Sequence, residues 1–169
     1  MNQAIFTSDK NYWETPSELF NELNAEFNFT LDAAASDENH KLPKYYTAET
    51  DGLIQDWAGE RVFCTPPYGS KETGVWTEKC WVEAQKPNTL CVLLIPARTD
   101  RKSFHKFIYK QPNVEIRFLP GRLSFELNGK KVGTAPFPSM VCVSPEGGGA
   151  EMRIIRNYDV SSYTGAIHI

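Results

Sequence analysis

The sequence predicts an α/β fold, a largely parallel sheet flanked by helices that ends in antiparallel strands. Three observations carry this. Leu90-Cys91-Val92-Leu93-Leu94-Ile95 is an unbroken apolar run, the pattern of a central strand covered on both faces. Over the first two thirds, strand-like runs alternate with segments of helical spacing. The last third is mostly strand-like and contains Asn128-Gly129, a strong hairpin signal. That order belongs to an α/β sheet with an antiparallel end.

Taken along the chain, Thr15-Pro16-Ser17-Glu18 reads as a helix start, with Thr15 as N-cap, Pro16 at the first helical position and Glu18 at the third. Leu19, Phe20, Leu23 and Phe27 follow at helical spacing. Phe29 to Asp32 reads as a short strand before the small-residue turn Ala33-Ala34-Ala35-Ser36, and Asp37 to Tyr46 as a helix. Arg61 to Cys64 is a strand, and Val75 to Gln85 a helix closed by Pro87-Asn88. Asp100 is placed to cap a helix through Tyr109, and Val114 to Phe118 is a strand. Leu123 to Leu127 enters the hairpin. Ser139 to Val143 and Met152 to Asn157 are further strands, separated by the flexible run Gly147-Gly148-Gly149. Neither a repeat nor a linker interrupts the chain, so residues 1–169 read as one domain with a short extension over 1–11.

The 169 residues suffice for a real core, and 41% hydrophobic and 23% charged content is that of a globular protein. No apolar run approaches a membrane span, and the first residues lack the pattern of a signal peptide. Cys64, Cys80, Cys91 and Cys142 show no C-x-x-C spacing, which predicts reduced thiols and no metal site. His40, His105 and His168 are scattered and read as structural or surface groups. The net charge of −3 argues mildly against nucleic acid, but charge is unevenly spread. Between Arg98 and Lys131 lie Arg98, Arg101, Lys102, Lys106, Lys110, Arg117, Arg122, Lys130 and Lys131, against Asp100, Glu115 and Glu126. A DNA-facing side and an ordinary solvated surface both fit that distribution.

Ligands of open α/β sheets bind beyond the carboxyl ends of the strands. Three segments fall at such ends: Asp32 to Ser36, Asp51-Gly52-Leu53, and Thr65-Pro66-Pro67-Tyr68. In the third, two prolines fix φ and remove two N–H donors. A polar side chain, stiff carbonyls and an aromatic face are held close together. Such a group suits a planar amino group, with acceptors for its hydrogens and a ring to stack on its base. The segment resembles the Asp/Asn/Ser-Pro-Pro-Tyr/Phe motif of amino-methyltransferases that use S-adenosylmethionine (SAM). Taken singly, the alanine-rich turn and Asp51-Gly52 are also ordinary turns.

A wider resemblance runs through residues 12–143. Tyr12-Trp13-Glu14-Thr15-Pro16, Phe29 to Ala35, Asp51-Gly52-Leu53 with Asp56-Trp57, Pro66-Pro67-Tyr68-Gly69, Leu94 to Asp100, and Arg117-Phe118 with Gly121-Arg122-Leu123 and Phe125 resemble, in that order, the phage-type DNA N-6-adenine-methyltransferase (Dam) family. The resemblance implies a class I SAM-dependent methyltransferase (Rossmann-like) sheet, with SAM as methyl donor and double-stranded DNA as substrate. It implies a cytoplasmic enzyme of a bacterial host, encoded by a phage or prophage, that needs no metal and no membrane. SAM would be held by Trp13, Thr15 and Pro16, by Asp32, Ala33 and Ala34, by Asp51, Gly52 and Leu53, and by Thr65. Thr65, Pro66, Pro67 and Tyr68 would form the catalytic turn, with Tyr68 stacked on a flipped base. Arg98, Arg101, Arg117 and Arg122 would contact the DNA backbone. Core packing for Trp13, helix capping for Thr15 and surface ion pairs for the arginines are the plainer roles. Phe125 and Phe137 line the base pocket or fill the core.

Thr65 departs from the family pattern, since adenine enzymes usually carry Asp or Asn there. A hydroxyl is a shorter and weaker acceptor, and cytosine N4 enzymes characteristically have Ser-Pro-Pro. Whole-chain resemblance favours adenine N6. The local chemistry favours cytosine N4 or a poorly active relative that binds SAM and DNA. Methyl transfer to protein glutamine or RNA is a further reading, because Pro-Pro-Tyr motifs occur there too.

Overall fold

The computed structural model describes residues 14–146. Trp13, the glycine run and the strand expected over Met152 to Asn157 lie outside the described residues. A five-stranded sheet forms the centre, in the order β1 (Leu31–Asp32), β2 (Arg61–Cys64), β3 (Leu90–Pro96), β7 (Ser139–Ser144), β4 (Glu115–Phe118). The first three strands are parallel, and β7 runs antiparallel between β3 and β4. Strands β5 (Ser124–Leu127) and β6 (Lys130–Thr134) form a separate hairpin. Its turn is Asn128-Gly129 with φ of 52° and 73°, the two left-handed residues that a tight two-residue hairpin loop requires.

Alternation along the strands sends side chains to two covered faces. Phe63, Val92, Leu94, Val141 and Val143 pack with Leu19, Phe20, Leu23 and Phe27 of helix α1 (Ser17–Phe27) and with Phe125 and Phe137. Phe20 meets Phe63 edge-on at 5.1 Å and 72°, a favourable aromatic geometry. Val62, Cys64, Cys91, Leu93, Ile95, Met140 and Cys142 face the other way, toward helix α2 (Ser70–Ala84) and helix α3. Helix α3 is α-helical over Lys102–Phe104 and continues as a π-helical turn over His105–Tyr109. Every residue of β3 is buried, as its unbroken apolar run requires.

Three local expectations are corrected. Thr15 does not cap α1. The cap position is Pro16, and Ser17 donates both its N–H and its hydroxyl to Glu126 of the hairpin, at 3.2 and 2.7 Å. Asp37 to Tyr46 forms turns rather than a helix, because its backbone bonds outward to the edge of β1. The Asp32 N–H donates to the Lys44 carbonyl, the Tyr46 N–H to the Asp32 carbonyl, and the Ala35 N–H to the Tyr46 carbonyl. This segment covers an otherwise open sheet edge. Arg101, not Asp100, occupies the cap position of α3.

Candidate active site

The Asp32, Asp51 and Thr65 segments meet at the carboxyl end of the parallel strands. The Ala33 N–H donates to the Phe63 carbonyl at 3.0 Å, which ties the first loop to β2. Asp32 is 3% exposed, and its Oδ2 accepts from the Lys41 N–H at 2.9 Å. Burial raises its carboxyl to about 6, against the opposing hydrogen bonds from the Lys41 and Ala34 amides. A carboxylate that costly to bury has a partner to meet or a proton to hold. Ala33 is fully buried and Ala34 half-buried beside it.

Asp51 has φ 50°, and its Oδ1 accepts from the Leu53 N–H at 3.1 Å, opening a 3-10 turn over Gly52–Ile54. Gly52 lies against the first loop. A Cβ there would collide with the Ala33 carbonyl oxygen and stand 3.0 Å from the Trp76 ring, so only glycine permits the approach. The Gly52 carbonyl accepts from the Trp57 indole N–H at 3.0 Å. Glu83 of α2 holds this loop from beneath through the Trp57 N–H, Lys79 and Lys86. Burial disfavours its charge, but those three donors outweigh burial and hold its carboxyl below the ordinary value.

Thr65 follows directly on β2. Its Oγ1 lies 3.2 Å from the Oγ1 of Thr15, which is 3% exposed. The Pro67 carbonyl accepts from the Thr73 hydroxyl at 3.2 Å, fixing the turn to the first turns of α2. Tyr68 is half-buried, its ring 5.4 Å from Phe137 at 86° and 5.9 Å from Phe125. Its hydroxyl is buried without a hydrogen-bond partner among the described residues, and burial pushes that phenol far up. Phe125 and Phe137 are thus core residues that also wall one side of the site.

Thr15 and Pro16 come to this site with α1, while Trp13 lies outside the described residues. Arg98 and Arg122 are exposed, beyond the carboxyl ends of β3 and β4 respectively, on the same end of the sheet. Arg101 is half-buried before α3. Arg117 departs from the expected DNA contact. It is 4% exposed, holds Glu26 through two bonds of 2.7 and 2.6 Å and Glu115 through a third of 2.7 Å, and lies over the Phe27 ring. It pins α1 to β4, because its place on the strand points it to the α1 face. Cys64, Cys80, Cys91 and Cys142 are buried free thiols, and no group suited to a metal occurs among the described residues. No helix among them is long and apolar enough to cross a membrane.

Sequence reasoning missed Glu126 and Glu83. Glu126 also pairs by backbone with Glu14, in both directions at 2.9 and 3.1 Å, so the hairpin fixes the segment that carries Thr15. The only signal for it in the sequence is an acid one residue before the hairpin turn's last strand position, which any solvated hairpin also shows.

Residues 3–150 match the profile of the DNA N-6-adenine-methyltransferase (Dam) family. The chain is 28% identical over 124 residues to a DNA N-6-adenine-methyltransferase of Escherichia phage T1, covering 72% of this chain and 50% of that protein. It is 37% identical over 65 residues to a DNA N-6-adenine-methyltransferase of Haemophilus phage HP1, covering 37% of this chain and 38% of that one. A putative methyltransferase of Escherichia coli K12, YfdM, is 39% identical over 64 residues, covering 33% of this chain and 69% of its own. The chain therefore spans half or less of the two phage relatives.

Proposed function

The chain belongs to the DNA N-6-adenine-methyltransferase (Dam) family, and from that premise we propose that it methylates an exocyclic base amine in double-stranded DNA, adenine N6 first, using SAM in a class I, Rossmann-like site. The observation that carries this reading is the meeting of three loops at the carboxyl end of a parallel sheet, one of them Thr65-Pro66-Pro67-Tyr68. Beside it, the close approach of Gly52 to Ala33 leaves backbone with no side chain between the loops, and the buried Asp32 carboxyl, held by the Lys41 and Ala34 amides, forms no ion pair among the described residues. Those features fit a positively charged, amino-bearing ligand. Asp32, Ala33 and Ala34 would hold its methionine part, and Asp51, Gly52 and Leu53 its adenosine. Thr15, Pro16 and Thr65 would border the reacting group, with Trp13 alongside.

Bound SAM would supply a methyl on positive sulfur for in-line attack by the base nitrogen, with S-adenosylhomocysteine as leaving group and one proton lost from the amine. The chain's own contribution is positioning and charge. Thr65 Oγ1 and the Pro66 carbonyl would accept the two amine hydrogens, aligning the nitrogen lone pair and steadying the positive charge that grows there. Tyr68 would offer its ring to the extruded base. Its T-shaped contact with Phe137 holds the ring, so its orientation is pre-set rather than found. Arg98, Arg101 and Arg122 would meet phosphates.

The hydroxyl at Thr65 favours a second reading, cytosine N4, where a hydroxyl normally stands. Mass spectrometry of nucleosides from DNA incubated with the protein and SAM decides. N6-methyladenine is expected. N4-methylcytosine alone would replace the substrate, and no methylated nucleoside at all would remove the DNA-methylating reading.

A further inference from the structure

A carboxylate at the Thr65 position needs no help to be an acceptor, and a carboxamide keeps donor and acceptor on separate atoms. A hydroxyl carries both on one oxygen, and its proton rotates to suit its neighbours. Facing an amine, it accepts well only when its proton is engaged elsewhere. The structure provides one engagement: Thr15 Oγ1 at 3.2 Å from Thr65 Oγ1. Thr15 is 3% exposed, so water competes poorly for that oxygen. Its backbone is also held, by the two-way pairing of Glu14 with Glu126 on one side and the Ser17 bonds to Glu126 on the other.

We propose that Thr15 is a positioning residue for methyl transfer: its side-chain oxygen accepts a hydrogen bond from the Thr65 hydroxyl, which turns the Thr65 lone pairs toward the target amine. The proposal rests on the amino-methyltransferase reading of this site. It assigns Thr15 a role in turnover rather than in capping α1, where no side-chain cap is made. It also explains how a hydroxyl serves at a position where Asp or Asn is usual.

The test compares Thr15→Val, Thr15→Ser, Thr65→Ala and the Thr15→Val/Thr65→Ala pair for kcat, KM for DNA, and affinity for S-adenosylhomocysteine. Thr15→Val should lower kcat by about tenfold, the equivalent of one hydrogen bond, with KM and cofactor affinity changed by less than about twofold. Thr15→Ser should recover most of the rate. In the Thr65→Ala background, Thr15→Val should add nothing, since its effect runs through Thr65. An equal loss in both backgrounds, or a loss confined to cofactor affinity, overturns the proposal. A readout on the unmutated protein guards against misfolded variants. The Thr65 hydroxyl proton should exchange slowly by NMR and show a nuclear Overhauser contact to Thr15, and exchange at the rate of free solvent hydroxyls overturns the proposal. Wild-type protein that transfers no methyl to DNA overturns the underlying reading instead. Active wild type with a fully active Thr15→Val overturns this proposal alone.

Discussion

Tyr68 stands edge to face against Phe137, with ring centres 5.4 Å apart and planes at 86°. The contact holds the ring but strands its hydroxyl, which is buried with no hydrogen-bond partner among the described residues. Removing a buried, unpaired polar atom relieves its desolvation cost. Tyr68→Phe should therefore be as stable as the wild type or more so, by up to about 1 kcal/mol, and retain base stacking. Tyr68→Ala should lose roughly 1–3 kcal/mol of base binding. A clear loss of stability in Tyr68→Phe would mean that the hydroxyl has a partner in solution.

Glu126 reaches from the hairpin to the first residue of α1, where its two oxygens take the Ser17 N–H and hydroxyl. It does the work of an N-cap from another element and places negative charge at the helix start. Glu126→Ala should destabilise the fold by about 0.5–2 kcal/mol, the range of lost caps. Because the same residue braces Thr15, turnover should fall more than melting does. Denaturant midpoints and kcat measured on one preparation check both. Unchanged stability would show the contact to be transient.

The fold was legible where one physical signal dominates. The apolar run at Leu90 gave β3, Asn128-Gly129 gave the hairpin, and the mainly-strand last third gave the antiparallel β7. Helical spacing gave α1 from Leu19 to Phe27 but not its cap, because Glu126 lies 109 residues away from Ser17. Local pattern carries no trace of such a partner. Residues 37–46 misled for a similar reason: their backbone groups are satisfied by β1, a long-range choice that outweighs weak helix propensity. At the site, strand-end position singled out Asp32, Asp51 and Thr65, and the structure brings their loops together. Arg117 failed because charge alone does not say which face of a strand a residue takes. Its place on β4 directs it inward to Glu26.

Asp32 makes stability depend on pH, and if it holds the cofactor as proposed, binding should depend on pH in the opposite sense. Its folded pKa, about 6, lies above the unfolded value near 3.8. The folded state therefore binds the proton more tightly, and the ionised form is a cost to folding. That cost is absent below the unfolded value, grows as pH rises from about 4 to 6, and is complete above the folded pKa. Its full size is about 3 kcal/mol for a shift of this order. Asp32→Asn removes the titration. The stability of the variant relative to wild type should rise by up to that amount between pH 4 and 7. Affinity for SAM should move the other way. Wild-type binding should weaken as pH falls through about 6, while Asp32→Asn should bind weakly at every pH. A stability difference that does not vary with pH would show that Asp32 titrates normally.

Arg98, Arg122 and Arg117 separate by exposure, and salt dependence should separate them in solution. Arg98 and Arg122 are exposed at the end of the sheet that holds the three loops, whereas Arg117 is 4% exposed and fully engaged with Glu26 and Glu115. Each phosphate contact releases condensed counterions, so log affinity for DNA falls with log salt by about one unit of slope per contact. Arg98→Ala and Arg122→Ala should each weaken DNA binding across sequences and flatten that slope by about one unit, with melting unchanged. Arg117→Ala should leave the slope alone and instead cost about 1.5–3 kcal/mol of stability, as charged hydrogen bonds are lost and α1 is released from β4. Equilibrium titrations at several salt concentrations, paired with thermal melts, measure both quantities. A flattened slope for Arg117→Ala, or an unaltered one for both exposed arginines, would place the DNA on a different face of the protein.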